Sequence, residues 1–229
     1  HPMLTPEQYH SLYARSPGGH WAAAELRPEQ QRVVAHIRTQ WPAGGAVLDI
    51  GCSTGDLLAA LGPGFTVFGI EPSRDAQALA QARGVQILGA TPADLAAAGR
   101  RFDVITAIDV IEHVPDPRAF LAQLAPYLSE GGGIVISTGS TASAAWRRAG
   151  PAYYYSHCYE HVSFLSPRWC REAAGPLFTG RLIEESFAHL DSDGLPPARR
   201  LKGWALYAAK LLPAWIEQHL LTKLPGAAR

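Results

Sequence analysis

Extremes of composition are missing from this chain. Its 229 residues include three cysteines, one methionine and 17% charged residues, and 20 Lys plus Arg balance 20 Asp plus Glu. Cys52, Cys158 and Cys170 show no Cys-x-x-Cys spacing and are too few for a disulfide framework, so a reducing, cytoplasmic setting is expected. A neutral chain presents no broad basic face, and no nucleic-acid partner is expected. No run approaches the roughly 20 apolar residues that cross a bilayer, no secretory pattern follows Met3, and no internal repeat is visible. Hydrophobic residues reach 47%, the composition of a soluble globular chain with a sizeable core.

Two periodicities alternate along the chain. Apolar β-favouring runs fall at 46–50, 65–70, 85–88, 102–108, 133–137 and 181–187. Helical spacing falls between them at 57–61, 73–83, 92–98 and 117–128, with further helices expected at 28–40 and near 167–174. Several strands are continuously apolar, as strands buried on both faces are. The alternation predicts an α/β fold with a doubly wound, mostly parallel sheet. Residues 1–27 form an N-terminal helical arm or lid carrying Tyr9, His10, Tyr13, His20 and Trp21. Residues 28–194 form the main domain, with an insertion at 139–165, and 195–229 form a helical tail. That tail has a basic amphipathic stretch at 201–221. The stretch fits cover of its own domain, peripheral membrane contact or a dimer face, leaving monomer or homodimer open.

The turn after the first strand, Asp49-Ile50-Gly51-Cys52-Ser53-Thr54-Gly55, carries the sharpest signal. Glycine admits positive φ and lets a ligand approach the backbone. The spacing is Asp-x-Gly-x-x-x-Gly, not the Gly-x-Gly-x-x-Gly that receives a pyrophosphate at a helix N-terminus. Asp49 would repel a pyrophosphate and favour a cationic ligand. Glu71 ends the second strand, where a carboxylate can accept hydrogen bonds from both ribose hydroxyls.

These segments, with Gly69-Ile70-Glu71-Pro72-Ser73, Phe102-Asp103-Val104-Ile105 and Asp109-Val110-Ile111-Glu112-His113-Val114-Pro115, resemble class I S-adenosylmethionine-dependent methyltransferases. The likeness is to the small-molecule branch that includes ubiquinone-biosynthesis O-methyltransferases, and it covers roughly residues 28–190. It implies a seven-stranded Rossmann-like sheet with S-adenosyl-L-methionine across the carboxyl ends of the first four strands. Gly51, Cys52 and Gly55 would line its methionine end with Asp49 and Asp109 nearby. Glu71 would hold the ribose, Pro72 would flank the adenine, and Ala93, Asp94 and Leu95 would close the adenine pocket. The chain departs from the family after the third strand, reading Gly89-Ala90-Thr91-Pro92, and no seventh strand is evident.

Methyl transfer to a hydroxyl is helped by a general base, and the insertion supplies His157, Glu160 and His161 as candidates, His161 foremost. The expected function is methyl transfer to an oxygen of a small polar acceptor, a sugar or secondary metabolite. N- or C-methylation, or cofactor binding without catalysis, are the alternatives. Residues 157–161 also match the His-x-x-Glu-His of inverted zinc proteases. That chemistry needs both histidines on one regular helix, which this loop does not promise. Asp109, Glu112 and His113 resemble an acidic-x-x-Glu-His element linked to a divalent cation in ubiquinone-pathway enzymes. A turn-shaping role is preferred, and no metal is assigned.

Overall fold

A computed structural model describes residues 26–158 and 160–183. The expected arm residues before Leu26, the strand positions beyond Ile183 and the helical tail lie outside the described residues.

Helix α1 (Pro28–Gln40) opens on a proline in its first turn, where the missing N–H costs nothing. The Arg27 N–H donates to the Gln30 side chain at 3.0 Å. Strands β1 (Gly45–Ile50), β2 (Phe65–Ile70), β3 (Gln86–Gly89), β4 (Phe102–Ile108) and β5 (Leu128–Ser137) form one sheet in the order β3-β2-β1-β4-β5. Every pairing is parallel. Helices α2 (Asp56–Leu61), α3 (Arg74–Ala82), α4 (Leu95–Ala98) and α5 (Pro117–Leu124) make the crossovers.

Alternate strand residues feed two layers. Val47, Val104 and Ile108 pack with Val33, Ile37, Leu57, Leu58, Leu61 and Ala80 on one face. Leu48, Ile50, Phe68, Ile105 and Ala107 pack with Leu95, Phe120, Leu121 and Leu124 on the other. The α/β doubly wound prediction holds, with five strands among the described residues.

Boundaries moved for identifiable reasons. β5 starts five residues before the apolar run at 133–137, because Gly131–Gly133 hides the strand from a hydrophobicity pattern. The helix expected over 117–128 ends at Leu124 and yields to a 3₁₀ turn, Ala125–Tyr127, where Pro126 has no N–H to continue the helical ladder. The helix expected over 92–98 begins as a 3₁₀ turn, Pro92–Asp94. The one expected at 167–174 is a single α-turn, α7 (Pro167–Trp169), running into π-helix Cys170–Ala174. Residues 181–183, expected to start a strand, carry no regular structure.

The 139–165 insertion is a closed excursion. It holds α6 (Ala144–Ala149) and 3₁₀ turns Gly150–Ala152 and Tyr154–His157. A parallel bridge pairs Ser140 with Leu165, and Thr141 N–H donates to the Leu165 carbonyl at 2.8 Å. No helix among the described residues is long and apolar enough to cross a membrane.

Candidate active site

In a parallel sheet all carboxyl ends open on one edge, and ligands settle there. Here that edge carries residues 51–55, Glu71, Asp109–His113 and Thr138–Gly139.

The turn after β1 is pinned to its neighbour: Gly51 N–H and Cys52 N–H both donate to the Ile70 carbonyl, at 2.8 and 3.1 Å. Gly51 has φ +73°, and a Cβ there would stand 2.8 Å from Val110 Cγ2. The turn therefore runs flush against the end of β4 and admits no side chain. Gly55, also left-handed, delivers the chain into α2.

Two acids are buried in this corner. Asp49 is 4% exposed, and the Thr106 hydroxyl donates to its Oδ1 at 2.6 Å from the directly paired position on β4. Burial pushes its carboxyl up to about 7; the Thr106 hydrogen bond opposes this and the nearby Glu71 adds to it. Glu71 is also raised by burial, against the Ser73 and Ser53 N–H groups that donate to Oε1 and Oε2 at 2.8 and 2.9 Å. Each Glu71 oxygen has accepted one bond and retains a second lone pair. Cys52 lies between them, its thiol pushed up by burial and then by Asp49 and Glu71. It packs in the core on one face of the sheet, and a buried thiol with a raised pKa is a poor nucleophile.

Asp109 follows β4 with φ +54°, an uncommon conformation for a non-glycine residue and one that concentrates at functional sites. Its carboxylate meets the Arg27 guanidinium at 2.6 Å, and Arg27 also meets Glu29 at 3.0 Å. Burial raises the Asp109 carboxyl while Arg27 opposes the rise. Arg27, at the boundary of the expected arm, carried no sequence signal. Thr106 carried one, a polar residue inside an apolar strand.

The adenine-side candidates part company. Leu95 is fully buried in the core, whereas Ala93 and Asp94 are exposed and Pro72 is half-buried. Asp94 Oδ2 accepts from the N–H groups of Ala90 and Thr91, at 2.9 and 2.8 Å. These bonds, Thr91 first, hold its carboxyl below the usual range. Its carboxylate thus caps its own turn.

At the ends of β4 and β5, the structure joins the insertion to the sheet. Val162 and Ser163 N–H both donate to the Glu112 carbonyl, at 2.9 and 3.0 Å. The Glu112 side chain, 1% exposed, accepts from the Thr138 hydroxyl at 2.9 Å and the Tyr155 hydroxyl at 2.8 Å. His161 Nδ1 lies 2.8 Å from the Tyr155 carbonyl, and His113 Nδ1 lies 3.1 Å from the Glu160 carbonyl. The two imidazoles meet edge to face at 4.9 Å. Burial lowers the His161 pKa, as does His113, against the Tyr155 carbonyl, Glu112 and Glu160. Glu160 thus joins the cluster through its backbone. His157 is exposed on a 3₁₀ turn followed by extended Cys158, so the His-x-x-Glu-His match forms no helical zinc site. Glu112, His113 and His161 offer ligand atoms within 4.8 Å of one another, a grouping that takes in His161 and leaves out Asp109. Nothing in sequence spacing joins Glu112, Thr138 and Tyr155.

The chain matches the methyltransferase domain family over residues 19–174. It is 38% identical over 129 residues to the ubiquinone biosynthesis O-methyltransferase of Thiobacillus denitrificans, covering 50% of this chain and 55% of that protein. It is 32% identical over 164 residues to the protein of that name from Aromatoleum aromaticum, covering 63% and 69%. The chain spans about half the length of the first curated relatives it matches. A candidate methyltransferase of known structure from Bacillus halodurans C-125 superposes with a TM-score of 0.53 at 17% identity, over 63% of this chain and 67% of that one. That likeness shows the fold.

Proposed function

The chain belongs to the methyltransferase domain family, and so to the S-adenosylmethionine-dependent class I methyltransferases, and we propose that it methylates an oxygen of a small polar acceptor, a sugar or secondary metabolite. The residues present fit the cofactor. Two lone pairs remain on Glu71 for two ribose hydroxyls, and Gly51 leaves its turn bare. Asp49 is a buried acid whose ionised form a nearby cation would favour. Arg27 and Asp109 present opposite charges at 2.6 Å, a match for the carboxylate and ammonium of an amino acid. S-adenosylmethionine, when bound, supplies an electrophilic methyl group on a sulfonium.

His161 is the observation that carries acceptance by oxygen. A carbonyl only accepts, so the 2.8 Å bond from Tyr155 places the proton on His161 Nδ1 and the lone pair on Nε2. Burial lowers its pKa, which favours the neutral ring that can take a hydroxyl proton. The curated relatives carry O-methyltransferase names, which supports the same reading.

Turnover of methyl-labelled cofactor against a panel of hydroxylated and amino-bearing sugars and phenols tests the proposal. Labelled methyl ethers are expected, and His161→Ala should lower kcat about 100-fold while S-adenosylhomocysteine binds as before. Methylated amines with an unimpaired His161→Ala would overturn the assignment to oxygen. Binding without turnover on any acceptor would overturn catalysis.

A further inference from the structure

Glu112 is 1% exposed, and among the described residues the hydrogen bonds to its carboxylate come from two hydroxyls, those of Thr138 and Tyr155. Backbone bonds from Val162 and Ser163 to its carbonyl already fasten the loop, so the side-chain contacts are left to orient what packs on Tyr155.

Tyr155 connects that charge to His161. Its hydroxyl donates to Glu112 Oε1 at 2.8 Å and accepts from the Gly139 N–H at 3.1 Å, with Thr138 Oγ1 3.2 Å away. A Cβ on Gly139 would stand 2.6 Å from the tyrosine ring, so the ring lies flush on the backbone just beyond β5. The ring then packs against the His161 imidazole, with centroids 4.1 Å apart and the planes tilted by 46°, and the Tyr155 carbonyl accepts from Nδ1–H. One residue thus controls both the tautomer and the plane of His161, and its far end is locked to the buried carboxylate.

We propose that Tyr155 and Glu112 are positioning residues for His161, with Tyr155 fixing the Nδ1–H tautomer and Glu112 supplying the fixed negative charge beside which the imidazolium forms. The proposal rests on the reading of His161 as the base. In the step served, the acceptor's O–H proton passes to Nε2 while the oxygen–carbon bond forms and the sulfonium's sulfur–carbon bond breaks. A neutral thioether and an imidazolium result, and the imidazolium returns its proton to water. The groups facing His161 are His113, Glu112, Glu160 and Tyr155. Glu112 is the buried anion among them.

Long-range proton–nitrogen NMR on histidine-labelled full-length protein with S-adenosylhomocysteine tests this without an acceptor, the His161 signal being assigned from its loss in His161→Gln. The wild-type ring is expected as Nδ1–H at pH 8. Tyr155→Phe should mix the tautomers. Glu112→Gln, which keeps partners for both hydroxyls, should lower the His161 pKa. An Nε2–H ring in the wild type, or a tautomer and pKa unmoved by both variants, would overturn the proposal. Stoichiometric Mn²⁺ broadening His113 and His161 together would also overturn it, making the cluster a cation site. Full turnover by His161→Ala would instead remove the base itself. An inactive His161→Ala with unmoved NMR readouts would remove only the positioning role.

Discussion

The two halves of the site bury carboxylates in opposite ways. At the ends of β1 and β2, Asp49 and Glu71 are buried acids, both raised by that burial, and Arg27 stands at the rim on Asp109. At the ends of β4 and β5, Glu112 is embraced by two hydroxyls and faces two imidazoles. On the proposed function, a positively charged ligand would complete the first arrangement, and the second would need only a proton to move.

The contrast breaks most decisively at Glu71. Glu71→Ala removes the proposed ribose acceptor and the acceptor of the Ser53 and Ser73 N–H groups, so S-adenosylhomocysteine binding by calorimetry should weaken about 100-fold, about 2.7 kcal/mol. The His161 NMR signals should stay in place. If the acceptor loop collapses as well, the halves are not independent.

Asp49 gives the next effect, through pH. Its folded carboxyl sits near 7, above the value of about 3.9 for an unfolded aspartate. The ligand-free protein therefore holds a proton that the unfolded chain releases between these values. This contribution to stability is present at low pH and is lost as pH rises towards 7. Binding a cation should expel the same proton. Affinity for S-adenosylmethionine should thus rise by up to tenfold per pH unit below 7 and level off above it, with proton release visible in buffers of different ionisation heat. Asp49→Asn should flatten the profile. A slope unchanged in that variant would place the titration elsewhere.

Arg27 gives the smallest effect. The pair with Asp109 is roughly two-fifths exposed on each side, so Arg27→Ala should change stability by less than about 1 kcal/mol. It should raise KM for the cofactor about fivefold with kcat little changed. A kcat loss would move Arg27 to the acceptor half.

The cofactor half was legible because its parts are close along the chain or fixed by strand ends. Ser53 and Glu71 are 18 residues apart, just beyond the ends of adjacent parallel strands, and the Asp-x-Gly-x-x-x-Gly turn encodes its own φ angles. Asp94 shows the limit even here, since one carboxylate serves equally well as a turn cap. On the other side His161 could be named, but its role depends on Tyr155, Thr138 and Glu112, and Glu112 lies 26 and 43 residues from the two hydroxyls. No periodicity reports such a meeting. Arg27 reaches across 82 residues to Asp109, beyond any local pattern.

The sequence by itself determined the alternation of strands and helices, the burial of both sheet faces and the bare glycine turn with its acids. These follow from hydrophobic period and backbone sterics, which act over a few residues. Only the tertiary structure decided that the insertion folds back onto the end of β4, that Tyr155 turns its carbonyl to His161 and its hydroxyl to Glu112, and that Arg27 closes on Asp109. Those are hydrogen bonds between distant segments, and they come into being only when the sheet brings its carboxyl ends to one edge.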